Sequence, residues 1–491
     1  MSTFGLGVVK RNTWYLLLII LLFPLIGAMI ALYPPTAVAL AGLFGGVLLF
    51  ILPIEAVMLI AIGLAPLSNV FIVKVGIFDF RLVQILWLIV FIRKIVQSLE
   101  QRSFRLPRTD IWKPLVLLIL AALLSTLTSI QPQISLKELI QLVYLFVMFY
   151  TIATNFNRPD LLTKAINVLA VATLIVTILG LVSVYSGVSP LPAITVDLLN
   201  NMNINLDFSN VILSDTTEGF RVMRLHSVNL SSVATAAFLT QMILILFFLL
   251  WNSRAIGFEI NKKFYGIVLI LSIYAWFLTN SRAAIVALFA LLFIGILISG
   301  RRRFTLIFLV FLFMGVLILT PTFSRLKDSF VLEASTNPGH IALWYEAIRI
   351  FLRNPLFGIG IGMFPFAVTD YLWFFNIQTY TSGLNDVHNM FIKSAAEMGI
   401  LGVGALIWFF YVLFRDLLKS FLNSRGKTRS VIFLAFLLAA LAGFLMNLTA
   451  NIFTKEFTWT IWGLAYAAVL MSTNIEPLPS GRKQPDSRTA V

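Results

Sequence analysis

Long apolar stretches alternate with short polar connections along most of the chain. A helix needs about 20 apolar residues to cross the roughly 30 Å of hydrocarbon in a bilayer, and fourteen stretches are candidates for such spans. They lie near residues 14–32, 36–52, 55–72, 82–92, 114–130, 138–154, 165–186, 231–250, 264–279, 283–299, 304–321, 389–414, 430–449 and 457–473. The pattern predicts an all-α polytopic membrane protein. Because the fourth stretch is shorter than a full span, the predicted number of transmembrane helices is about 12–14.

Composition excludes several other classes of protein. The chain has 491 residues, of which 59% are hydrophobic and 12% are charged, whereas an ordinary soluble domain has roughly 25% charged residues. There is too little polar sequence to cover a soluble protein of this length, which excludes a soluble enzyme, a disordered protein and a fibrous repeat. Cysteine is absent, which excludes disulfides, zinc–thiolate sites, iron–sulfur clusters and a cysteine nucleophile.

The strongly basic charge follows from the predicted topology. The net charge is +15. With the N-terminus inside, the inner loops hold 24 of the 36 Lys and Arg residues but only 8 of the 21 acidic residues. This distribution obeys the positive-inside rule, so the charge does not imply binding to nucleic acid. Fourteen spans place both termini in the cytoplasm, and the first apolar run is longer than a signal-peptide core, which predicts an uncleaved span.

Two predicted outer segments are much longer than turns. The spans divide the chain into N-terminal transmembrane helices (1–186), a first long outer loop (187–230), central helices that include the hairpin at Arg282 (231–321), a large periplasmic loop (322–388), C-terminal helices (389–475) and a disordered cytoplasmic tail (476–491). Loops longer than about 12–15 residues in a compact protein are usually functional or disordered. The second outer loop is not of low complexity, so we expect it to be functional.

Helical periodicity within the second outer loop predicts an amphipathic helix over residues 340–352. Its apolar stripe comprises Ile341, Trp344, Ile348 and Phe351. The opposite face carries Glu346, Arg349 and Arg353. The pattern is typical of a helix that lies in the outer membrane interface with its tryptophan at headgroup level. A helix that packs on the protein surface without a substrate role is the alternative.

Three arginines are predicted near the outer membrane surface, where cations are statistically disfavoured. Arg282 follows a turn too short to carry it far from the membrane, and Arg221 and Arg224 come just before the span that begins near residue 231. One guanidinium group can donate hydrogen bonds to two oxygens of a phosphate, and it stays charged at physiological pH. The arrangement favours a site for a lipid phosphate or pyrophosphate, with a snorkelling anchor as the alternative for Arg282.

Four motifs follow one another in the second half of the chain. They are the TxSR element at Thr279–Arg282, Trp344, the NPLxGxGxxxF run at Asn354–Phe364, and the HNxF…ExGxxG run at His388–Gly402. In residue type and order they resemble the motifs of the O-antigen ligase/polymerase family of bacterial membrane glycosyltransferases. The resemblance covers roughly residues 220–410, and the chain departs from the family in having His340 where an arginine often lies four residues before the tryptophan.

The resemblance implies glycosyl transfer from a polyprenyl-pyrophosphate-linked glycan to an acceptor hydroxyl. It implies a lipid or glycan acceptor, a carrier of the undecaprenyl type and contact with membrane lipids, at the periplasmic face of the inner membrane. Direct attack of the acceptor at the anomeric carbon would invert the configuration of that carbon. The resemblance assigns His388 as general base and Arg282, with Arg224 or Arg221, to the pyrophosphate. Supporting positions are His340, Trp344, Asn389 and Glu397.

The sequence predicts a reaction without a cofactor or a metal ion. The long loops contain no Asp-x-Asp and no His-x-x-x-His spacing, and their acidic residues are scattered. Three functions stay open: a ligase as in lipopolysaccharide assembly, a polysaccharide polymerase of the same family, and a transporter, for example of bicarbonate. Carriers usually keep ionisable residues inside their spans. The predicted spans hold almost none, which favours the transferase.

Overall fold

The computed structural model describes most of the chain from residue 51 onward. The described residues are 51–70, 72–75, 78–100, 109–186, 213–215, 221–229, 231–251, 261–299, 337–368, 386–425 and 430–473. The predicted spans near 14–32 and 304–321, the predicted span near 36–52 except for its last two residues, and the predicted tail lie outside them. The chain divides into two units, Met1–Met58 and Leu59–Val491. The site described below belongs entirely to the second unit.

The described part of the chain is built from α-helices. They are α1 (Ile54–Leu64), α2 (Leu82–Glu100), α3 (Trp112–Leu127), α4 (Pro132–Asn155), α5 (Pro159–Ser186), α6 (Ser232–Trp251), α7 (Lys262–Leu278), α8 (Arg282–Ile298), α9 (Asn337–Arg353), α10 (Phe364–Ala367), α11 (Met390–Asn423), α12 (Ser430–Met446) and α13 (Glu456–Thr473). Five of these, α2, α4, α5, α6 and α11, are long and apolar enough to cross a membrane. The predicted all-α polytopic membrane fold is confirmed.

Two short strand pairs interrupt the helical pattern. β1 (Ile72–Val75) pairs antiparallel with β2 (Phe78–Arg81), and β3 (Leu213–Asp215) pairs antiparallel with β4 (Arg221–Met223). The predicted third span, 55–72, is helical only to Leu64, where α1 ends and a 3-10 turn containing Pro66 follows, and β1 begins at its last residue. Proline has no backbone N–H to continue a helix. The fourth span, predicted to be short, instead continues through its basic residues to Glu100.

The core of the second unit lies along α6, α12 and α13, whose side chains are buried on nearly all sides. Around them α6 packs against α7 and α12, α13 packs against α4, and α3 packs against α11. Large aromatic side chains fill the contact between α4, α11 and α13. Phe409 stacks on Trp459 at a ring separation of 5.7 Å and meets Phe149 edge-on, and such pairs add to the stability that apolar burial provides.

Helix α9 packs through a different face from the one predicted. Leu343, Ala347 and Ile350 are buried against α10, α11 and Val387, whereas Trp344 and Ile348 remain 37% and 48% exposed. The prediction that Glu346 lies on the polar face is wrong, since only 6% of it is exposed. Two neighbouring stripes of α9 are both apolar, so periodicity alone did not distinguish the packed stripe. The exposed stripe retains the composition expected of a membrane interface.

Candidate functional site

A glycine-rich loop after α9 supports the start of α11. Gly358, Gly360 and Gly362 all have positive φ angles, of 70°, 112° and 78°, which L-residues with a side chain rarely adopt. The loop also closely approaches the backbone of α11 and a side chain of α4. A Cβ atom on Gly358 would lie 2.2 Å from the carbonyl carbon of Glu397, and one on Gly362 would lie 2.5 Å from Cγ of Glu138. The spacing of these glycines therefore has a steric cause.

Helix α11 is broken at Gly399, and the glycine-rich loop fills the break. Gly399 has φ 65° and ψ −161°, so carbonyl groups just before it lose their partners within the helix. The backbone N–H of Ile359 donates to the carbonyl of Ala396, and that of Gly360 donates to the carbonyl of Glu397, both at 3.2 Å. In return the N–H of Ile400 donates to the carbonyl of Pro355 at 2.8 Å. These reciprocal bonds fix the first two turns of α11.

We expect Gly358→Ala to destabilise the protein strongly. A residue forced into an unfavourable backbone region costs about 1–3 kcal/mol, and the clash with the Glu397 backbone adds to that cost. Gly404→Ala is the matched control, because Gly404 lies in α11, the helix that the loop supports, and a Cβ there meets nothing within 4 Å. Thermal unfolding in detergent should give a lower midpoint for the first variant only. Equal midpoints for both variants would contradict this steric role.

His388 is held between two fixed backbone positions just before α11. The indole of Trp344 donates to the carbonyl of Val387 at 2.8 Å. On the other side Asn389 caps α11, and its side chain accepts from the N–H groups of Phe391 and Ile392. His388 itself has φ 52°, and a non-glycine residue in this region stores strain of the kind found at functional sites. The predicted supporting positions Trp344 and Asn389 thus both contact the backbone that flanks the histidine.

The surroundings of His388 favour the neutral form of its imidazole. Burial lowers the pKa of His388 below its usual 6.5, and the nearby carboxylate of Asp386 opposes that shift. The carboxylate of Asp386 also has other partners. Nζ of Lys393 lies 3.0 Å from it, and the side-chain amide of Asn451 donates a hydrogen bond to it. A neutral imidazole accepts a proton, which is the property a general base needs at neutral pH.

Arg224 lies at the turn that carries Arg282. Its Nε donates to the carbonyl of Thr279 at 3.3 Å, and the N–H of Leu225 donates to the carbonyl of Leu278 at 2.9 Å. Arg282 is the first residue of α8, the end at which the aligned peptide dipoles of a helix give a partial positive charge. Both arginines are partly buried. The side chains of Arg221 and His340 lie outside the described residues, so the choice between Arg221 and Arg224 stays open.

A cavity of about 570 Å³ lies between α4, the start of α11, the glycine-rich loop and the connection between α12 and α13. Its described lining includes Lys137, Glu138, Lys393 and Glu397, and it includes neither His388 nor the two arginines. Glu397 is buried and accepts from the backbone N–H of Phe364 at 3.2 Å. Glu397, predicted as a supporting residue, therefore both fixes the loop and lines the cavity.

Several polar residues of this region were not identified from the sequence. They are Lys137, Glu138, Asp386, Lys393 and Asn451. Asp386 and Lys393 lie within five residues of His388, so their position beside the histidine motif was an available signal. Lys137 and Glu138 come before the apolar part of a predicted span, where charged residues are ordinary, and nothing in the sequence separates them from a solvated helix end.

Comparisons with known proteins agree with the motifs. Residues 267–409 match the family model described as O-antigen ligase, a range that includes Arg282, the glycine-rich loop, His388 and the break in α11. No curated protein matches the chain. This match and the long apolar helices of the chain together identify it as a multi-pass membrane protein. The resemblance read from the motifs is thereby confirmed, and residues 267–409 are an O-antigen ligase-like segment.

Proposed function

We propose that the protein is a membrane glycosyltransferase of the O-antigen ligase type. It transfers a glycan from a polyprenyl-pyrophosphate carrier to an acceptor hydroxyl at the periplasmic face of the inner membrane. The observation that carries the proposal is the partly buried imidazole of His388, fixed just before α11 within the segment that matches the family model. The predicted sidedness places this histidine and the arginine turn at the same membrane surface.

His388 acts as general base in this proposal. As the acceptor oxygen attacks the anomeric carbon, its proton passes to the imidazole and the bond between that carbon and the pyrophosphate oxygen breaks. Direct displacement inverts the anomeric configuration. The hydrogen bond from Trp344 to the carbonyl of Val387 and the cap formed by Asn389 keep the imidazole in place, which limits the entropy that must be lost when the acceptor arrives.

Arg282, together with Arg224 or Arg221, binds the departing pyrophosphate, and the described position of Arg224 favours Arg224. The hydrogen bond from Arg224 to the Thr279 carbonyl holds one guanidinium at the turn from which the other projects. Two guanidinium groups and a helix N-terminus suit a group on which negative charge increases as the reaction proceeds. Because these cations neutralise the leaving group, the reaction needs no divalent metal.

The experiment is incubation of the purified chain with a polyprenyl-pyrophosphate-linked glycan and candidate acceptors, followed by mass analysis of the products. Glycan on a new acceptor identifies a ligase, whereas longer chains that remain on the carrier identify a polymerase. EDTA should leave the rate unchanged. Loss of activity with EDTA and its recovery with Mg²⁺ would contradict the metal-independent mechanism, and intact donor under every condition would contradict the transferase itself.

A further inference from the structure

We propose that the cavity between α4 and α11 binds an uncharged sugar residue of the transferred glycan or of the acceptor glycan. This inference rests on the proposed function and adds a recognition site to it. The cavity volume of about 570 Å³ falls within the range of roughly 300–1,000 Å³ that is typical of small-ligand sites. Neither arginine assigned to the pyrophosphate is among its described lining residues.

Charge balance in the cavity favours a neutral ligand. Its described charged lining consists of two lysines, Lys137 and Lys393, and two glutamates, Glu138 and Glu397. Each lysine has a glutamate close to it in sequence, so the lining lacks the uniformly basic surface that the arginine turn offers to a phosphate. A sugar hydroxyl, in contrast, both donates and accepts hydrogen bonds, and it can use carboxylates and ammonium groups side by side.

Unused hydrogen-bonding atoms mark the same cavity. Ser394 is 4% exposed and lines the cavity, and its Oγ has no hydrogen-bond partner within the described part of the chain. The buried Nε2 of Gln141, another lining residue, also lacks a partner there, while its Oε1 accepts from Gln84 at 2.8 Å. Buried polar atoms are rarely left unpaired, so these two are available for ligand hydroxyl groups.

Aromatic and apolar side chains complete the walls of the cavity. Phe366, 51% exposed, and Phe453 both line it. Binding sites of this kind combine mainly apolar walls with a few placed polar groups. A pyranose has hydroxyl groups at its edge and C–H groups on its faces, so it matches polar side chains and phenyl rings together.

Lys393 connects the cavity to the proposed base. Its side chain lines the cavity and pairs with Asp386 at 3.0 Å, two residues before His388. A sugar held against Lys393 therefore lies beside the segment that carries the histidine. This continuity favours a role in presenting a sugar to the reaction over a separate storage site.

Ser394→Ala tests the polar side of the site. It removes one hydroxyl from a buried position without adding volume, and losing one hydrogen bond to a neutral ligand corresponds to about a tenfold weaker interaction. We expect KM for the sugar-bearing substrate to rise by about tenfold while kcat changes little. Ser420→Ala is the matched control, since Ser420 lies near the other end of α11, where it contacts Ser472. Unchanged KM in Ser394→Ala would overturn the role of this hydroxyl.

A labelling experiment tests occupancy without relying on catalysis. Because the chain contains no cysteine, Phe366→Cys gives a single thiol at the cavity, and Lys164→Cys, at an exposed position near the start of α5, serves as control. The rate of maleimide labelling in nanodiscs is measured with undecaprenyl pyrophosphate, with the same carrier bearing the glycan, and with a glycan acceptor. Protection by the glycan-bearing carrier alone assigns the site to the donor sugar, and protection by the acceptor assigns it to the acceptor sugar.

Two outcomes would overturn the sugar site. Equal protection by the bare carrier would make the cavity a lipid or pyrophosphate site, and the absence of protection by any compound while transfer proceeds would leave the cavity without a substrate role. Both outcomes are compatible with the proposed transferase. Failure of the transferase instead appears as no product in the wild-type assay, whatever the labelling rates are.

Discussion

Replacing His388 with asparagine should lower the rate of glycan transfer by about 10²–10⁴-fold, the usual contribution of a general base. Asparagine cannot take up the acceptor proton at neutral pH. It tolerates the left-handed backbone better than other residues with a side chain, so the φ of 52° at this position is retained. The amount of protein in the membrane and the thermal midpoint should therefore stay close to those of the wild type.

The pH dependence of the wild-type rate distinguishes a base from a merely structural histidine. The neutral imidazole is the active form, so kcat/KM should rise with pH and level off once the histidine has lost its proton. Because burial lowers the pKa of His388, the midpoint of this rise should lie below 6.5. The residual rate of His388→Asn should lack the rise.

Imidazole added to the medium provides a control for the same variant. A small base that reaches the cleared position should restore part of the activity of His388→Asn in proportion to its neutral fraction. Wild-type activity in the variant, or an unchanged acid limb, would remove the histidine from the proton transfer. Loss of the protein from the membrane would assign the residue a folding role instead.

The helices of the described region could be predicted from hydropathy because each must cover its backbone with apolar side chains in lipid. The predicted stretch 231–250, for example, corresponds to α6 at Ser232–Trp251, and 430–449 corresponds to α12 at Ser430–Met446. The short β1–β2 and β3–β4 pairs escaped prediction. Strands of three or four residues leave little periodicity to detect, and their pairing depends on contacts between segments.

The geometry that supports His388 depends on contacts distant in sequence. The hydroxyl of Ser125 donates to the carbonyl of Glu397 at 2.6 Å across 272 positions, and Asn451 reaches Asp386 across 65 positions. The motifs indicated which residue types mattered. They gave no indication that the glycine-rich loop pairs with the break at Gly399, because that pairing requires the two backbones to approach to hydrogen-bond distance.

The buried face of α9 illustrates a limit of periodicity. Residues Leu343, Ala347 and Ile350 repeat with helical spacing, and so do Trp344 and Ile348 one position further on. A hydrophobic pattern this wide fits either orientation, and tertiary contacts with Phe364 and Val387 select the first stripe. Glu346 is carried inward with it. Burial raises the pKa of Glu346, and Arg349, whose guanidinium lies 3.6 Å away, opposes that shift.

Arg282→Lys should lower kcat by about 10²–10³-fold, comparable to the loss of one preorganised donor to a developing anion. Lysine keeps the positive charge but loses the planar pair of donors that matches two phosphate oxygens. Arg158→Lys is the matched control, since Arg158 lies exposed just before α5 and pairs with Asp160 in the first turn of that helix. Donor binding to a non-hydrolysable carrier analogue should weaken less than kcat falls, because the negative charge on the leaving group grows during bond cleavage.

Combining Arg282→Lys with Arg224→Lys tests whether the two arginines act on one group. Arg224 is bound to the backbone of the turn that carries Arg282, so both guanidinium groups are expected to contact the same pyrophosphate. Residues that share a partner have non-additive effects, and the double variant should therefore lose less activity than the product of the two single losses. Strict multiplication of the losses would instead assign the arginines to separate ligands. Normal turnover in Arg282→Lys would require the leaving group to be bound elsewhere.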